Sequence, residues 1–233
     1  MENSYKRLSV LVPVYNERAT IGEVLRRVKA VDIPLELEVI VVDDGSTDGT
    51  ASILKALSDS TVKVIHHPTN RGKGAALSTA IEAATGDLLL VQDADLEYDP
   101  DDWHALLNPV MQGKASVVYG SRFTGPRKNM FPSHWIGNRV LTLMTNILYR
   151  STLSDMETCY KLICRDALDG IRIESKGFDV EPEITAKLLR RGIRIYEVPI
   201  SYSGREMSEG KKIRWYDGVK ALVALVKYRF KPL

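Results

Sequence analysis

Through the first half of the chain, short apolar runs alternate with stretches whose apolar residues recur at helical spacing. Leu8 to Val14, broken by Ser9, reads as a strand, and Ile21, Val24, Leu25 and Val28 then fall on one helix face. Thr20 and Glu23 form a capping box at its start. Leu37 to Val42, rich in β-branched residues, predicts a second strand ending in Asp43-Asp44-Gly45-Ser46, after which Asp48 caps a helix carrying Ile53, Leu54 and Leu57. Val62 to Ile65 and Leu88 to Val91 predict two more strands; Ala75 to Ala84 and Asp101 to Met111 predict two more helices. Apolar strands alternating with amphipathic helices predict an α/β fold, a mostly parallel sheet with helices on both faces.

The pattern loosens after Met111. Val117 to Tyr119 predicts a short strand, followed by a polar loop with Gly and Pro through Pro132. Ile136, Val140, Leu143, Met144, Ile147 and Leu148 predict a long helix from Trp135 to Tyr149, with a broad apolar face beside Phe131 and Trp135. Glu181 to Arg190 reads as helix, and Ile195 to Tyr202 as a strand whose Pro199 points to an edge position. A last helix, Trp215 to Tyr228 within about residues 213–230, puts Trp215, Val219, Leu222, Val223 and Val226 on one stripe. Lys211, Lys212, Arg214, Lys220, Lys227, Arg229 and Lys231 surround that stripe. Such a helix either lies in a bilayer interface or packs on the chain's own core. No repeat or linker forces a second domain, so residues 1–233 are expected to form one.

Composition narrows the class. At 233 residues, 44% hydrophobic and 27% charged, the chain can bury a proper core. A net charge of +2 gives no reason to expect nucleic-acid binding. Cys159 and Cys164, without a nearby His cluster, suit buried thiols in a reducing cytoplasm. There is no signal-peptide pattern and no apolar run near the roughly 20 residues that cross a bilayer. The expectation is a cytoplasmic protein with no span of its own.

Chemistry gathers at the predicted strand ends, where open parallel sheets bind ligands. Asp93-Ala94-Asp95 follows the strand Leu88 to Val91 and reads either as a cap on the next helix or as oxygen ligands for a hard divalent cation. Tyr15 offers a stacking face for a base or sugar. Asp43 or Asp44 can accept from the ring N–H of uracil or the edge of guanine. Asp93, Asp95 and Glu97 can hold Mg²⁺ or Mn²⁺ with a diphosphate, and the set reads as a nucleotide-sugar site. No G-x-x-x-x-G-K-[ST] is present, and no G-x-G-x-x-G follows the first strand, which disfavours a P-loop ATPase and a nicotinamide enzyme. Asn70-Arg71-Gly72-Lys73-Gly74 lacks phosphate-loop spacing. Its Lys73 either reaches a phosphate at the next helix's N-terminus or is a solvated turn lysine.

Val12-Pro13-Val14-Tyr15-Asn16-Glu17, Val42-Asp43-Asp44-Gly45-Ser46-Thr47-Asp48-Gly49-Thr50, Asn70-Arg71-Gly72-Lys73-Gly74 and Asp93-Ala94-Asp95 together resemble the family 2 glycosyltransferases of GT-A fold. Gly120-Ser121-Arg122-Phe123, Ser154 to Lys161, Val198-Pro199-Ile200-Ser201-Tyr202 and Arg205 with Gly210-Lys211 narrow this to a resemblance to dolichyl- and polyprenyl-phosphate sugar synthases. The resemblance implies that Pro13, Tyr15, Glu17 and Asp44 line the nucleoside pocket, with Lys73 and Ala94 also on the donor side. It implies that Asp93 and Asp95, with Glu97, hold the metal and diphosphate. Arg122 and Arg139 would clamp the lipid phosphate, and Asp155 would organise the arginines. Arg205 and Lys211 would lie on a loop, Ser203 to Lys212, that closes over the diphosphate.

The implied reaction is inverting displacement at the anomeric carbon by a phosphate oxygen, which needs no strong general base. A saccharide or small hydroxyl acceptor would need one, with Asp155 or Glu157 as candidates. A nucleotidyltransferase and a non-catalytic nucleotide-sugar binder are the remaining alternatives. The expected partners are a GDP- or UDP-sugar, polyprenyl phosphate and the cytoplasmic face of a membrane, with a homo-oligomer or a membrane partner subunit also possible. The base is open between GDP-mannose, UDP-glucose and UDP-N-acetylglucosamine.

Overall fold

Residues 5–57, 59–205 and 215–231 are described by a computed structural model of the chain. The first-half alternation becomes β1 (Arg7–Val14), α1 (Ile21–Ala30), β2 (Glu36–Asp43), α2 (Thr50–Lys55), β3 (Val62–His66), α3 (Lys73–Ala83), β4 (Leu88–Val91) and α4 (Trp103–Met111). A 3-10 turn, Pro100–Asp102, precedes α4. The second half supplies β5 (Val117–Ser121), β6 (Arg127–Lys128), α5 (Pro132–Tyr149), β7 (Lys161–Cys164), α6 (Arg165–Leu168), α7 (Val180–Arg190), β8 (Tyr196–Pro199), β9 (Tyr202–Ser203) and α8 (Trp215–Phe230).

Seven strands form one sheet in the order β3-β2-β1-β4-β7-β5-β8, and β6 pairs with β9 in a second, two-stranded sheet. All pairings in the large sheet are parallel except the two made by β7, which runs antiparallel to both β4 and β5. This orientation positions the site. The carboxyl ends of β1, β2, β4, β5 and β8 share one edge of the sheet, and the reversed β7 brings its amino end, fed by residues 154–160, to the same edge.

The expected α/β sheet is therefore present, with Pro199 on the edge strand β8 as predicted. Four local expectations are corrected. The capping box at α1 does not form, because the Thr20 hydroxyl lies against the Glu17 carboxylate and the Ala94 carbonyl while Glu23 pairs with Arg26 and Arg27. β7 lay unread within the Ser154 to Lys161 motif and the residues just after it. The strand expected over Ile195 to Tyr202 is two strands, the second of which leaves the large sheet for β6. The Gly and Pro loop before Pro132 contains β6.

The apolar stripes of the two long helices face outward. On α5, Ile136, Val140, Leu143 and Ile147 are 52–63% exposed, whereas Leu141, Thr142 and Thr145 are buried. On α8, Val219, Leu222, Val223, Val226 and Phe230 are exposed, and Ala221, Ala224, Leu225 and Tyr228 make the buried face. Leu141, Leu153, Met156, Ala221 and Leu225 form a small apolar cluster where the two helices meet, separate from the main core around the sheet. The Tyr149 hydroxyl donates to the Leu225 carbonyl at 2.6 Å across this junction. Among the described residues no helix is long and apolar enough to cross a membrane. Cys159 and Cys164 are buried free thiols, as the sequence suggested.

Candidate active site

The residues expected to bind the donor lie at the ends of β1, β2 and β4. Tyr15 is half-buried, and Asn16 beside it takes a left-handed backbone (φ 50°). That turn brings Glu17 to face the loop after β4. Asp44 is buried, with Oδ1 2.6 Å from His67 Nδ1 and accepting from the Arg71 amide, and Oδ2 accepting from the Gly72 amide at 2.7 Å. Its carboxylate thus ties the end of β2 to the 70–74 loop. The glycines of that loop allow close approach: a Cβ at Gly74 would sit 2.1 Å from the Ser175 carbonyl oxygen. The Gly74 and Ala75 amides at the start of α3 point at the Lys176 carbonyl. The α3 N-terminus is thereby occupied by the chain itself, and Lys73 is not the solvated turn lysine of one expectation, since only 13% of its side chain is exposed. The Lys73 side chain instead turns to Asp93.

Asp93, Asp95 and Glu97 leave β4 on a turn in which Leu96 adopts φ 61°, a rare conformation for a branched side chain. Lys73 Nζ is 2.9 Å from Asp93 Oδ1. Arg205 reaches Asp95 at 3.0 Å and Glu17 at 3.1 Å. Glu97 accepts from the Arg205 amide and the Tyr202 hydroxyl, anchoring the strap that carries Arg205. Burial, reinforced by the Asp93 and Glu97 charges, pushes the Asp95 carboxyl up to about 7. Burial pushes Asp93 the same way, but Lys73, Cys159 and Arg205 together outweigh it and the group ends below its ordinary value. Lys73 would be lowered by burial, yet Asp93 and Glu181 hold it well above the usual lysine range.

The residues expected at the acceptor lie across the edge, on β5, α5 and the turn before β7. Arg122 is buried and grips Asp155 with two side-chain bonds of 2.7 Å, while its own amide donates to the same carboxylate. Its guanidinium also lies 5.4 Å over the Tyr202 ring. Glu197 on β8 accepts from the Ser154 and Asp155 amides and fixes this turn. Arg139 is exposed on α5, near the Ser154 carbonyl and 5.5 Å over the Phe123 ring. Arg122 and Arg139 thus flank one turn, 154–155, but Arg139 stands at the surface whereas Arg122 is enclosed. Lys211 lies outside the described residues.

The Glycosyl transferase family 2 profile matches residues 9–172. The chain is also 33% identical over 204 residues to the low-salt glycan biosynthesis hexosyltransferase Agl6 of Haloferax volcanii, covering 85% of this chain and 48% of that protein. It is 32% identical over 219 residues to the undecaprenyl-phosphate mannosyltransferase of Micrococcus luteus, covering 88% and 87% of the two chains.

The chain belongs to the family 2 glycosyltransferases.

The solved structure of glucosyl-3-phosphoglycerate synthase from Mycobacterium tuberculosis, with Mn²⁺, UDP and phosphoglyceric acid, superposes with a TM-score of 0.75 over 99% of this chain and 81% of that one, at 21% identity. That likeness establishes the GT-A fold for this glycosyltransferase. Among the described residues no three His, Cys, Asp or Glu side chains converge as a ready metal cage. Two carboxylates on one turn, each carrying a protein cation, fit an ion that takes one or two protein oxygens and completes its shell with diphosphate and water. Sequence reasoning missed Glu181 and Glu197 as site residues and quoted Lys161 only as the end of the Ser154 to Lys161 motif, with no role. Glu181 and Glu197 carry no motif of their own and reach the site through α7 and β8.

Proposed function

We propose that this glycosyltransferase moves a hexosyl group, with inversion, from a UDP- or GDP-sugar to polyprenyl phosphate at a membrane surface. The observation that carries the reading is the juxtaposition on the acceptor side. Arg122 and Arg139 flank the 154–155 turn, and the same helix that carries Arg139 exposes Ile136, Val140, Leu143 and Ile147. A phosphate monoester on a long apolar tail asks for cations beside an apolar surface. The mannosyltransferase relative, named for undecaprenyl phosphate, supports the same acceptor class.

Asp93 and Asp95, with Glu97 beside them, would hold Mg²⁺ or Mn²⁺, which when bound supplies charge neutralisation for a leaving diphosphate. Mn²⁺ and UDP in the structural neighbour support this choice. Pro13, Tyr15 and Glu17, at the end of β1, would line the nucleoside. Asp44, saturated by His67 and two amides, shapes the pocket wall by fixing the 70–74 loop. Arg122, oriented by Asp155, presents positive charge to the attacking phosphate oxygen. Arg205 now occupies Asp95 and Glu17, and it stabilises the diphosphate by exchanging those carboxylates for phosphate oxygens.

A second reading, a hydroxyl acceptor, draws on Glu157. Burial pushes its carboxyl up to about 7, in the range of a general base, and its buried Oε1 has no hydrogen-bond partner among the described residues. Incubation of the protein with labelled UDP- and GDP-sugars, Mn²⁺ and a short polyprenyl phosphate separates the two readings. Lipid-linked product that disappears in Asp95→Ala supports the first. Transfer only to free saccharide or glycerate acceptors, abolished in Glu157→Gln, replaces it with the second.

A further inference from the structure

Asp93, Lys73, Glu181 and Lys161 form a row of charges alternating in sign, partly buried at Asp93 and Lys73 and buried at Glu181 and Lys161. Lys73 Nζ lies 2.9 Å from Asp93 Oδ1 and 3.1 Å from Glu181 Oε1. The other oxygen of Glu181 meets Lys161 Nζ at 2.5 Å. Lys161 is fully buried, donates to the Met156 and Thr158 carbonyls, and stands 4.7 Å over the Tyr119 ring. Glu181 belongs to the first turn of α7, where the helix dipole favours a carboxylate. The segment leading into α7 is also the one on which the glycines of the 70–74 loop rest, with Gly72 and Gly74 against the Lys176 and Ser175 carbonyls. Lys73 and Glu181 are therefore held to each other both by charge and by backbone packing.

The arrangement has a consequence for any cation arriving at Asp93. Lys73 and the incoming ion would share one carboxylate, and two cations on one anion repel. Lys73 has a second counter-anion, Glu181, within reach without moving. We infer that Glu181 is a positioning residue of the donor site, taking over the Lys73 ammonium so that Asp93 is released to a divalent metal. This rests on the reading of Asp93 as a metal ligand given above. Without Glu181, the lysine keeps Asp93 as its one carboxylate partner among the described residues, beside the Cys159 sulfur at 3.7 Å, and competes with the metal for it. The chain of charges also joins the two halves of the site, because Lys161 pins the 156–158 turn that follows Asp155.

Mn²⁺ binding to the whole protein, followed by electron paramagnetic resonance without donor or acceptor, tests this. Glu181→Gln is expected to weaken Mn²⁺ binding about tenfold, the lower end of what loss of a supporting partner does to a metal site. Lys73→Met removes the competitor and is expected to bind Mn²⁺ at least as well as the wild type. In the double variant the glutamine should then do no further harm. A purely structural role for Glu181, as the partner of Lys161, would weaken binding equally with and without Lys73, and that result overturns the inference. So does Glu181→Gln binding like the wild type. If Glu181→Gln does not fold, Lys73→Met alone decides, since weakened binding there contradicts competition. Absence of Mn²⁺ binding by the wild type, or undiminished binding by Asp93→Asn, overturns the metal reading itself and the inference with it.

Discussion

Glu157 shows how a single buried carboxyl sets a pH dependence. Burial first, and the Glu181 charge against the opposing pull of Lys161, raise its carboxyl from 4.5 to about 7. Between those values the folded protein holds a proton that the unfolded chain has released. The associated stability is fully present below about pH 4.5 and is lost as pH rises through about 7. Glu157→Gln removes the titration, so urea midpoints of wild type and variant are expected to diverge between pH 4.5 and 8, the wild type falling relative to the variant. Parallel profiles would contradict the assignment. Asp93 and Asp95 stood out in the sequence because they directly follow an apolar strand. The Glu181–Lys161 pairing did not, because a buried charge acquires meaning only from the opposite charge that folding brings to it.

At the level of elements, glycines separate fold from chemistry. The 70–74 loop is glycine-rich without phosphate-loop spacing, and Gly72, at φ 96°, and Gly74 serve close packing against residues 175–177. Gly74→Ala would overpack that contact and is expected to destabilise the protein by about 1–3 kcal/mol. Gly137→Ala, inside α5 where an added Cβ meets nothing within 4 Å, is expected to stabilise by roughly 0.5–1 kcal/mol. Denaturant titration measures both, and equal effects would refute the packing argument. Period and strand composition revealed the regular elements from β1 to α4. They missed β7, only four residues long, which opens with a buried lysine after a polar turn. They identified α5 and α8 as helices but not the outward direction of their stripes, since which face a helix buries is decided by its neighbours.

Across the whole molecule, α5 and α8 pack on each other and both turn apolar stripes to the outside, with Arg139, Arg150, Lys220, Lys227 and Arg229 exposed on or beside them. Large exposed apolar patches mark interaction surfaces, and basic residues beside this one favour an anionic bilayer. The protein is expected to float with phosphatidylglycerol-containing vesicles. The pair Val140→Glu and Val223→Glu should weaken that binding by at least about tenfold, given roughly 1.5 kcal/mol for each apolar side chain withdrawn from water. Concentration-dependent dimers without vesicle binding would assign the face to a second copy instead. The reversed strand β7 has a consequence of another kind. It sits between β4 and β5, so the two parts of the sheet cannot join until residues 161–164 have left the ribosome. Until then the wholly apolar edge of β4, Leu88–Val91, is unpaired on that side. A nascent chain stalled before Lys161 therefore carries an open, sticky strand, a natural binding point for chaperones and a starting point for aggregation.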